Sequence, residues 1–299
     1  MRITDMIGFA GETGDPIFSF EFFPPKTDAG VEALFETLRQ LRPLGPSFVS
    51  VTWGAGGSSR GRTLEMVTRI KRETEIEAMA HLTCVGVSRA ELLDSLAAIR
   101  AAGIDNVLAL RGDPPQGETE WIAHPEGLHY SVELIEMIHR EYDFCVGAAC
   151  FPEVHPAAAS AEEDLRYLKR KVDAGASFLI TQLFFDNRDY FEFVDQARGV
   201  GIEVPIIPGI WPVTNYAQIK RIADLCKSRF PERFERELEE RKDDLDAVAD
   251  LGVAYAALQC VELLAKGAPG IHFYTLNRSP ATRAILAALR SWLPAVSPA

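Results

Sequence analysis

Eight short apolar runs recur along the chain, and each is followed by a segment of helical periodicity. This alternation constrains the fold more than any other feature. A strand that rejoins its sheet after a helix runs parallel to the previous strand, so repeated strand–helix units build a parallel sheet covered by helices. The strand runs are the stretch from Phe18 to the Pro24-Pro25 pair, then Phe48–Thr52, Ala78–Cys84, Asn106–Leu110, Phe144–Ala149, Phe178–Gln182, Val204–Ile207 and Gly270–Tyr274. The helical segments are Ala29–Leu41, Arg62–Glu73, Arg89–Ala102, Ser131–Glu141, Ala161–Ala174, Asn187–Ala197, about Asn215–Cys226 with a long helix reaching Leu264, and Pro280–Leu289. In the first, Val31, Leu34, Phe35, Leu38 and Leu41 fall on one face. Ser88, with Glu91 three residues on, forms a capping-box signature. Eight units in 299 residues predict an α/β chain folded as a (β/α)₈ TIM barrel. No linker or composition break divides it, so a single domain over 1–299 is expected, with its core at about 17–290. A doubly wound open sheet is the competing arrangement, but no Gly-x-Gly-x-x-Gly follows the first strand. The charged run from Glu232 to Asp246 reads as a solvated helical face.

Charge and cysteine usage narrow the function. A net charge of −12 argues against nucleic acid or an anionic membrane as the main partner. The first residues carry acids and glycines where a secretory signal has an apolar run, and no run of about 18 apolar residues is apparent, so no membrane span is predicted. The five cysteines are scattered without Cys-x-x-Cys spacing, which predicts buried free thiols in a reducing cytoplasm and neither a zinc site nor a disulfide framework. The sequence is compatible with a homo-oligomer.

A (β/α)₈ barrel carries its chemistry where the strands end. There the sequence places Glu21, Thr52, His81, Arg111, Asp113, Glu153, His155, Gln182, Asn277 and Arg278. Each has a bland alternative. Glu21 fits the wet side of a half-buried strand, His81 a hydrogen-bonded core position, Asp113 a turn cap. Their coincidence at one rim is the signal. Glu21 lies among Phe18, Phe20, Phe22 and Phe23, surroundings expected to raise its pKa toward neutrality, as a general acid requires. No His-x-His or Glu-x-x-His spacing supports a metal. Lys169-Arg170-Lys171 falls on a helix, which suits a cofactor phosphate better than a Schiff base.

The blocks FSFEFFPP, FVSVTWGAGG, HLTC, LALRGDPP, FPEVHP, LKRKVDAGA, ITQLFFD, IIPGIWP and FYTLNR occur in this order between Phe18 and Arg278. Together they resemble the methylenetetrahydrofolate reductase family in its bacterial form, a family of (β/α)₈ flavoproteins in one-carbon metabolism leading to methionine. The resemblance implies FAD bound non-covalently across the barrel top. It also implies NADH or NADPH as donor, a folate as acceptor, and no C-terminal regulatory domain of the eukaryotic kind. Carried over by motif, Glu21 is the general acid and Asp113 a catalytic carboxylate beside flavin and pterin. Gln182, Gln218 and Arg278 bind folate, and Thr52 touches the nicotinamide. FAD contacts fall on Trp53, Ala55, His81, Arg111, Gly112, Tyr130, Ser131, Phe151, His155, Ala158, Asp164, Tyr167, Arg170 and Lys171.

Four positions depart from the family pattern. Trp53 stands where Tyr is common, Phe151 where a Tyr contacts FAD, Tyr167 where a small amide sits, and Ile222 where some members place a substrate-stacking Phe. The implied reaction is a ping-pong transfer of hydride from nicotinamide to flavin and from flavin to 5,10-methylenetetrahydrofolate, whose five-membered ring opens once N10 is protonated. Two other readings share the fold and cofactor: a proline-dehydrogenase-like flavin oxidoreductase, and a non-catalytic flavin subunit of an electron-transfer complex.

Overall fold

The computed structural model of the protein describes residues 1–53, 60–113, 122–277 and 280–292. The strands are β1 (Ile17–Phe22), β2 (Phe48–Val51), β3 (Glu77–Thr83), β4 (Asn106–Leu110), β5 (Cys145–Cys150), β6 (Phe178–Thr181), β7 (Ile206–Ile207), β8 (Gly209–Ile210) and β9 (Gly270–Tyr274). All pair in parallel, in the order β7-β6-β5-β4-β3-β2-β1-β9-β8. The two ends of that order are one stave. Pro208 has no N–H to give a ladder and divides it, yet its carbonyl accepts from His272 N at 2.9 Å. β7 pairs with β6 and β8 with β9, so the divided stave closes an eight-stave barrel. The strand expected at Val204–Ile207 therefore starts later and continues past the proline.

The helices are α1 (Ile3–Thr13), α2 (Asp28–Leu41), α3 (Arg60–Thr74), α4 (Arg89–Ala101), α5 (Ser131–Glu141), α6 (Ala161–Asp173), α7 (Asn187–Gly199), α8 (Tyr216–Cys226), α9 (Glu232–Glu240), α10 (Leu245–Ala265) and α11 (Pro280–Trp292). The capping box at α4 forms as expected, with Ser88 and Glu91 satisfying each other's backbone N–H groups. In α9 the charged run is solvated, while Phe234 and Leu238 hold the helix down.

Side-chain alternation sorts β1 into two faces. Phe18, Phe20 and Phe22 point outward and are buried with Leu34, Phe35 and Leu38 of α2 and with the neighbouring helices. Burying such a side chain is worth about 1.5–3 kcal/mol. Ile17, Ser19 and Glu21 point into the barrel. At its lower end Ile17 meets Phe48, Met79, Leu108, Phe178 and Ile207. The sequence reading did not anticipate α1, whose Ile3 and Ile7 join this cluster and close the bottom of the barrel, so the core begins well before residue 17.

One expectation about apolar runs needs correction. Among the described residues, α10 is the one helix long and apolar enough to cross a membrane, and a third of its apolar window is buried. Its alanines and leucines pack it as an outer-layer helix of the barrel. Gly252 lies so close to the loop after β8 that a Cβ there would stand 1.9 Å from Val213 O, and Gln259, Cys260 and Leu263 are buried.

Candidate active site

The barrel interior changes character from bottom to top. Above the apolar layer come Ser19, Ser50, His81, His272 and Glu21, all buried or nearly so. Glu21 pairs in register with Ser50 and with Tyr274. β1 and β3 are not neighbours in the sheet, so Glu21 and His81 meet only across the interior. His81 Nε2 stands 3.5 Å and His272 Nε2 3.6 Å from Glu21 Oε2. These distances are too long for hydrogen bonds. Both nitrogens, with Ser50 Oγ and Thr83 Oγ1 on the interior-facing positions of β2 and β3, are buried without a hydrogen-bond partner among the described residues. Buried polar atoms are nearly always satisfied, so such a convergence marks a place where something polar binds. His272 Nδ1 is held by Ser19 Oγ at 2.8 Å.

This geometry corrects the electrostatic expectation for Glu21. The phenylalanines that flank it in sequence face the other side of the sheet. Burial pushes its carboxyl up, but the near contact with His272 and the charges His81 and His272 carry when protonated pull harder, and the net direction is down. Burial pushes His81 down to about 4, so it is neutral at pH 7. The largest downward pull on Glu21 is therefore that of His272.

A second group gathers where β4 and β5 end. His155 N donates to Asp164 Oδ2 at 2.8 Å, and His155 Nδ1 accepts from Ala157 N at 3.0 Å, which leaves the ring proton on Nε2. Burial and the cations Arg111, Lys171 and Lys227 push His155 down to about 4. Lys171 donates to Ala149 O, the next-to-last residue of β5, at 3.0 Å, and burial lowers its pKa. Burial raises Asp164, against the His155 N–H and Lys171. Phe151 sets its ring edge-on to His155 at 4.5 Å, and Ala158 N donates to His155 O at 2.9 Å. After β4, Gly112 adopts φ +89°, where a Cβ would lie 2.6 Å from Val85 Cγ1. Glycine alone lets the backbone turn there.

The remaining expected residues spread around the rim. Thr52 follows β2, its N–H on Phe22 O at 2.9 Å, and Trp53 is buried behind it. Asp113 follows β4 and is exposed, and burial, with a smaller push from Asp113, raises the Cys226 thiol of α8 to about 11. Gln182 follows β6, with its side-chain oxygen on Leu183 N. Gln218 is exposed in the first turn of α8. Tyr130 precedes α5, Ser131 begins it, and Tyr167 and Arg170 lie on α6. Ala55 and Arg278 fall outside the described residues. Sequence reasoning missed Ser19, His272, Tyr274 and Lys227. The alternation of FSFEF already set Ser19 on the face of Glu21, but pairing it with His272 required barrel closure.

A closed parallel barrel with orphaned histidines and a carboxylate at the strand ends, and a cationic group beside them, defines the class: a (β/α)₈ enzyme that works at its C-terminal mouth. The family model described as methylenetetrahydrofolate reductase matches residues 7–290, and the chain belongs to that family. It is 42% identical over 268 residues to the 5,10-methylenetetrahydrofolate reductase of Salmonella typhimurium, covering 89% of this chain and 88% of that one. It is also 42% identical over 288 residues to methylenetetrahydrofolate reductase (NADH) 1 of Arabidopsis thaliana, covering 93% of this chain. There the match covers 49% of the relative, so the chain spans about half the length of the plant protein. Among solved structures, a Clostridium thermocellum protein that binds two copies of 5-methyl-5,6,7,8-tetrahydrofolic acid superposes with a TM-score of 0.60 at 15% identity, covering 93% of this chain and 95% of that one. That likeness is one of fold.

Proposed function

We propose that the chain reduces 5,10-methylenetetrahydrofolate to 5-methyltetrahydrofolate with a reduced nicotinamide as donor and FAD as the carrier between them. The observation that carries this reading is Glu21 under two orphaned histidine nitrogens at the mouth of a barrel of this family. The residues present suit a dinucleotide. Arg111, Lys171 and Lys227 around His155 supply positive charge for a diphosphate, and Gly112 lets the backbone approach closely. Bound there, the flavin would accept hydride from the nicotinamide and deliver it to the folate.

The chain's own residues do the rest. Ring opening needs a proton on folate N10, and Glu21 is the donor placed for it. Alone, the chain keeps Glu21 below its ordinary pKa. A folate ring that covers the mouth excludes water and strengthens the burial that favours the protonated acid. When Ser19 donates to Nδ1, the proton of neutral His272 sits on Nε2 and faces the Glu21 carboxyl, which orients that carboxyl at the mouth. The Asp113 carboxylate, which the motif assigns a place beside the pterin, favours the cation that ring opening creates. Gln182, Gln218 and Arg278 orient the folate, Thr52 the nicotinamide.

The test is spectroscopic. The purified chain should be yellow, release FAD on denaturation, bleach when NADH or NADPH is added without oxygen, and regain colour with methylenetetrahydrofolate. A colourless protein that takes up no added FAD contradicts the reading, as does bleaching that methylenetetrahydrofolate leaves unreversed.

A further inference from the structure

The chain leaves β9 through a turn that backbone sterics disfavour. Leu276 and Asn277 adopt φ +51° and +59°, in the left-handed region. Asparagine tolerates that region; leucine does not, because its Cβ crowds the following carbonyl. Among the described residues no other two successive non-glycine residues are left-handed. Such strain persists only where surrounding bonds over-determine it, and two side chains supply them. The Asn277 side chain accepts from Phe23 N at 2.7 Å and donates to Phe23 O at 2.8 Å, so one amide takes the place of a strand partner. Thr275 is buried; its Oγ1 donates to Glu21 O at 2.6 Å and accepts from Asn277 N at 3.2 Å. Thr37 of α2 donates to Asn277 O at 3.4 Å.

These bonds fall where β1 most needs them. The β1–β9 register ends at the pair of Glu21 with Tyr274. Beyond it come Phe22, Phe23 and two prolines, which have no N–H to extend a ladder. On the β2 side Thr52 N holds Phe22 O at 2.9 Å. On the β9 side the side chains of Thr275 and Asn277 carry the pairing past its last rung, onto the backbone of Glu21 and Phe23. An extended exit from β9 would carry Asn277 past Phe23, level with Pro24, and the left-handed pair turns it back. Glu21 therefore sits on backbone gripped from both sides, although its strand stops one residue later.

We propose that Thr275, braced by Asn277, is a positioning residue whose hydroxyl fixes the height of Glu21 at the mouth, so that the carboxyl meets both His272 and the bound folate. This rests on the reading of Glu21 as general acid and adds the device that aims it. The Glu21 carboxyl stands 3.5 and 3.6 Å from two imidazoles, and a small shift of its backbone would undo that geometry. A displacement of about 1 Å costs a reaction up to about a hundredfold.

The test is a double-substitution cycle on the flavin-loaded full-length chain, read by stopped-flow in both half-reactions. Thr275→Val keeps the shape and removes the hydroxyl. It should slow reoxidation by methylenetetrahydrofolate about ten- to a hundredfold and leave bleaching by the nicotinamide within about threefold. Thr275→Ser, which keeps the hydroxyl, should restore the rate. In a Glu21→Gln background Thr275→Val should slow reoxidation no further, because the proton it aims is already gone. Asn277→Gly accepts the left-handed turn without strain and loses the grip on Phe23, so it should give the same pattern in a chain that folds. Wild-type reoxidation in Thr275→Val would overturn the proposal, as would an equal loss with and without Glu21 or equal slowing of both half-reactions. Wild-type reoxidation in Glu21→Gln alone would remove the general-acid reading and the proposal with it, an outcome seen before Thr275 is changed.

Discussion

At the scale of single residues, the meeting of one carboxylate, Glu21, with two imidazoles, His81 and His272, decides the chemistry of the interior. His81 is 4% exposed, and burial holds it neutral, from an ordinary 6.5 down to about 4. The unfolded chain takes up a proton below pH 6.5 that the folded chain refuses until about pH 4. The stability due to neutral His81 is therefore full above pH 6.5 and drains away as pH falls through that window. Each unit is about 1.4 kcal/mol, so the whole shift corresponds to about 3 kcal/mol. His81→Asn should flatten the fall of the thermal midpoint between pH 6.5 and 4; slopes equal to wild type would show that His81 is not a buried neutral base. The sequence made Glu21 and His81 visible, because polar residues at strand ends are rare company for apolar runs. It misjudged what surrounds Glu21. Adjacent residues in a strand face opposite ways, so Phe18, Phe20 and Phe22, though near Glu21 in sequence, pack on the other side of the sheet. His272, which is a neighbour, lies 251 positions further on.

At the scale of elements, the apolar periodicity carried most of the architecture. β4, β9 and α5 begin and end where the sequence places them. What escaped was structure that local pattern does not encode. The residues of α1 include glycines and acids, and the sequence reading gives them no element, yet Ile3 and Ile7 make α1 the barrel's floor. The Pro208 break looks like a strand end, and only pairing with β9 shows that the stave continues. α10 packs one face, with Val248, Gly252, Ala256, Cys260 and Leu263, against the rest of the barrel, and the close contact of Gly252 with Val213 O fixes its height. Gly252→Ala puts a methyl group into backbone that has no room to yield. It should cost roughly 1–3 kcal/mol, seen as a lower thermal midpoint. An unchanged midpoint would mean that α10 slides freely on its neighbours.

At the scale of the whole molecule, the barrel is divided by polarity. Its lower half is filled with Ile, Phe, Met and Leu, and its upper half holds hydroxyls, imidazoles and a carboxylate. A chain of net charge −12 nevertheless gathers Arg111, Lys171 and Lys227 beside that mouth. Such local charge is what an anionic cofactor needs and what overall composition hides. The central claim is that this mouth runs two half-reactions with different proton needs, and that Glu21 serves only one. Glu21→Gln keeps the shape and loses the proton. Stopped-flow measurement of both half-reactions in that single variant tests the claim most directly. Flavin bleaching by the nicotinamide should stay within about tenfold of wild type, whereas reoxidation by methylenetetrahydrofolate should slow by about 10²–10⁴-fold, the usual worth of a general acid. Equal slowing of the two would contradict the account and make Glu21 a structural residue.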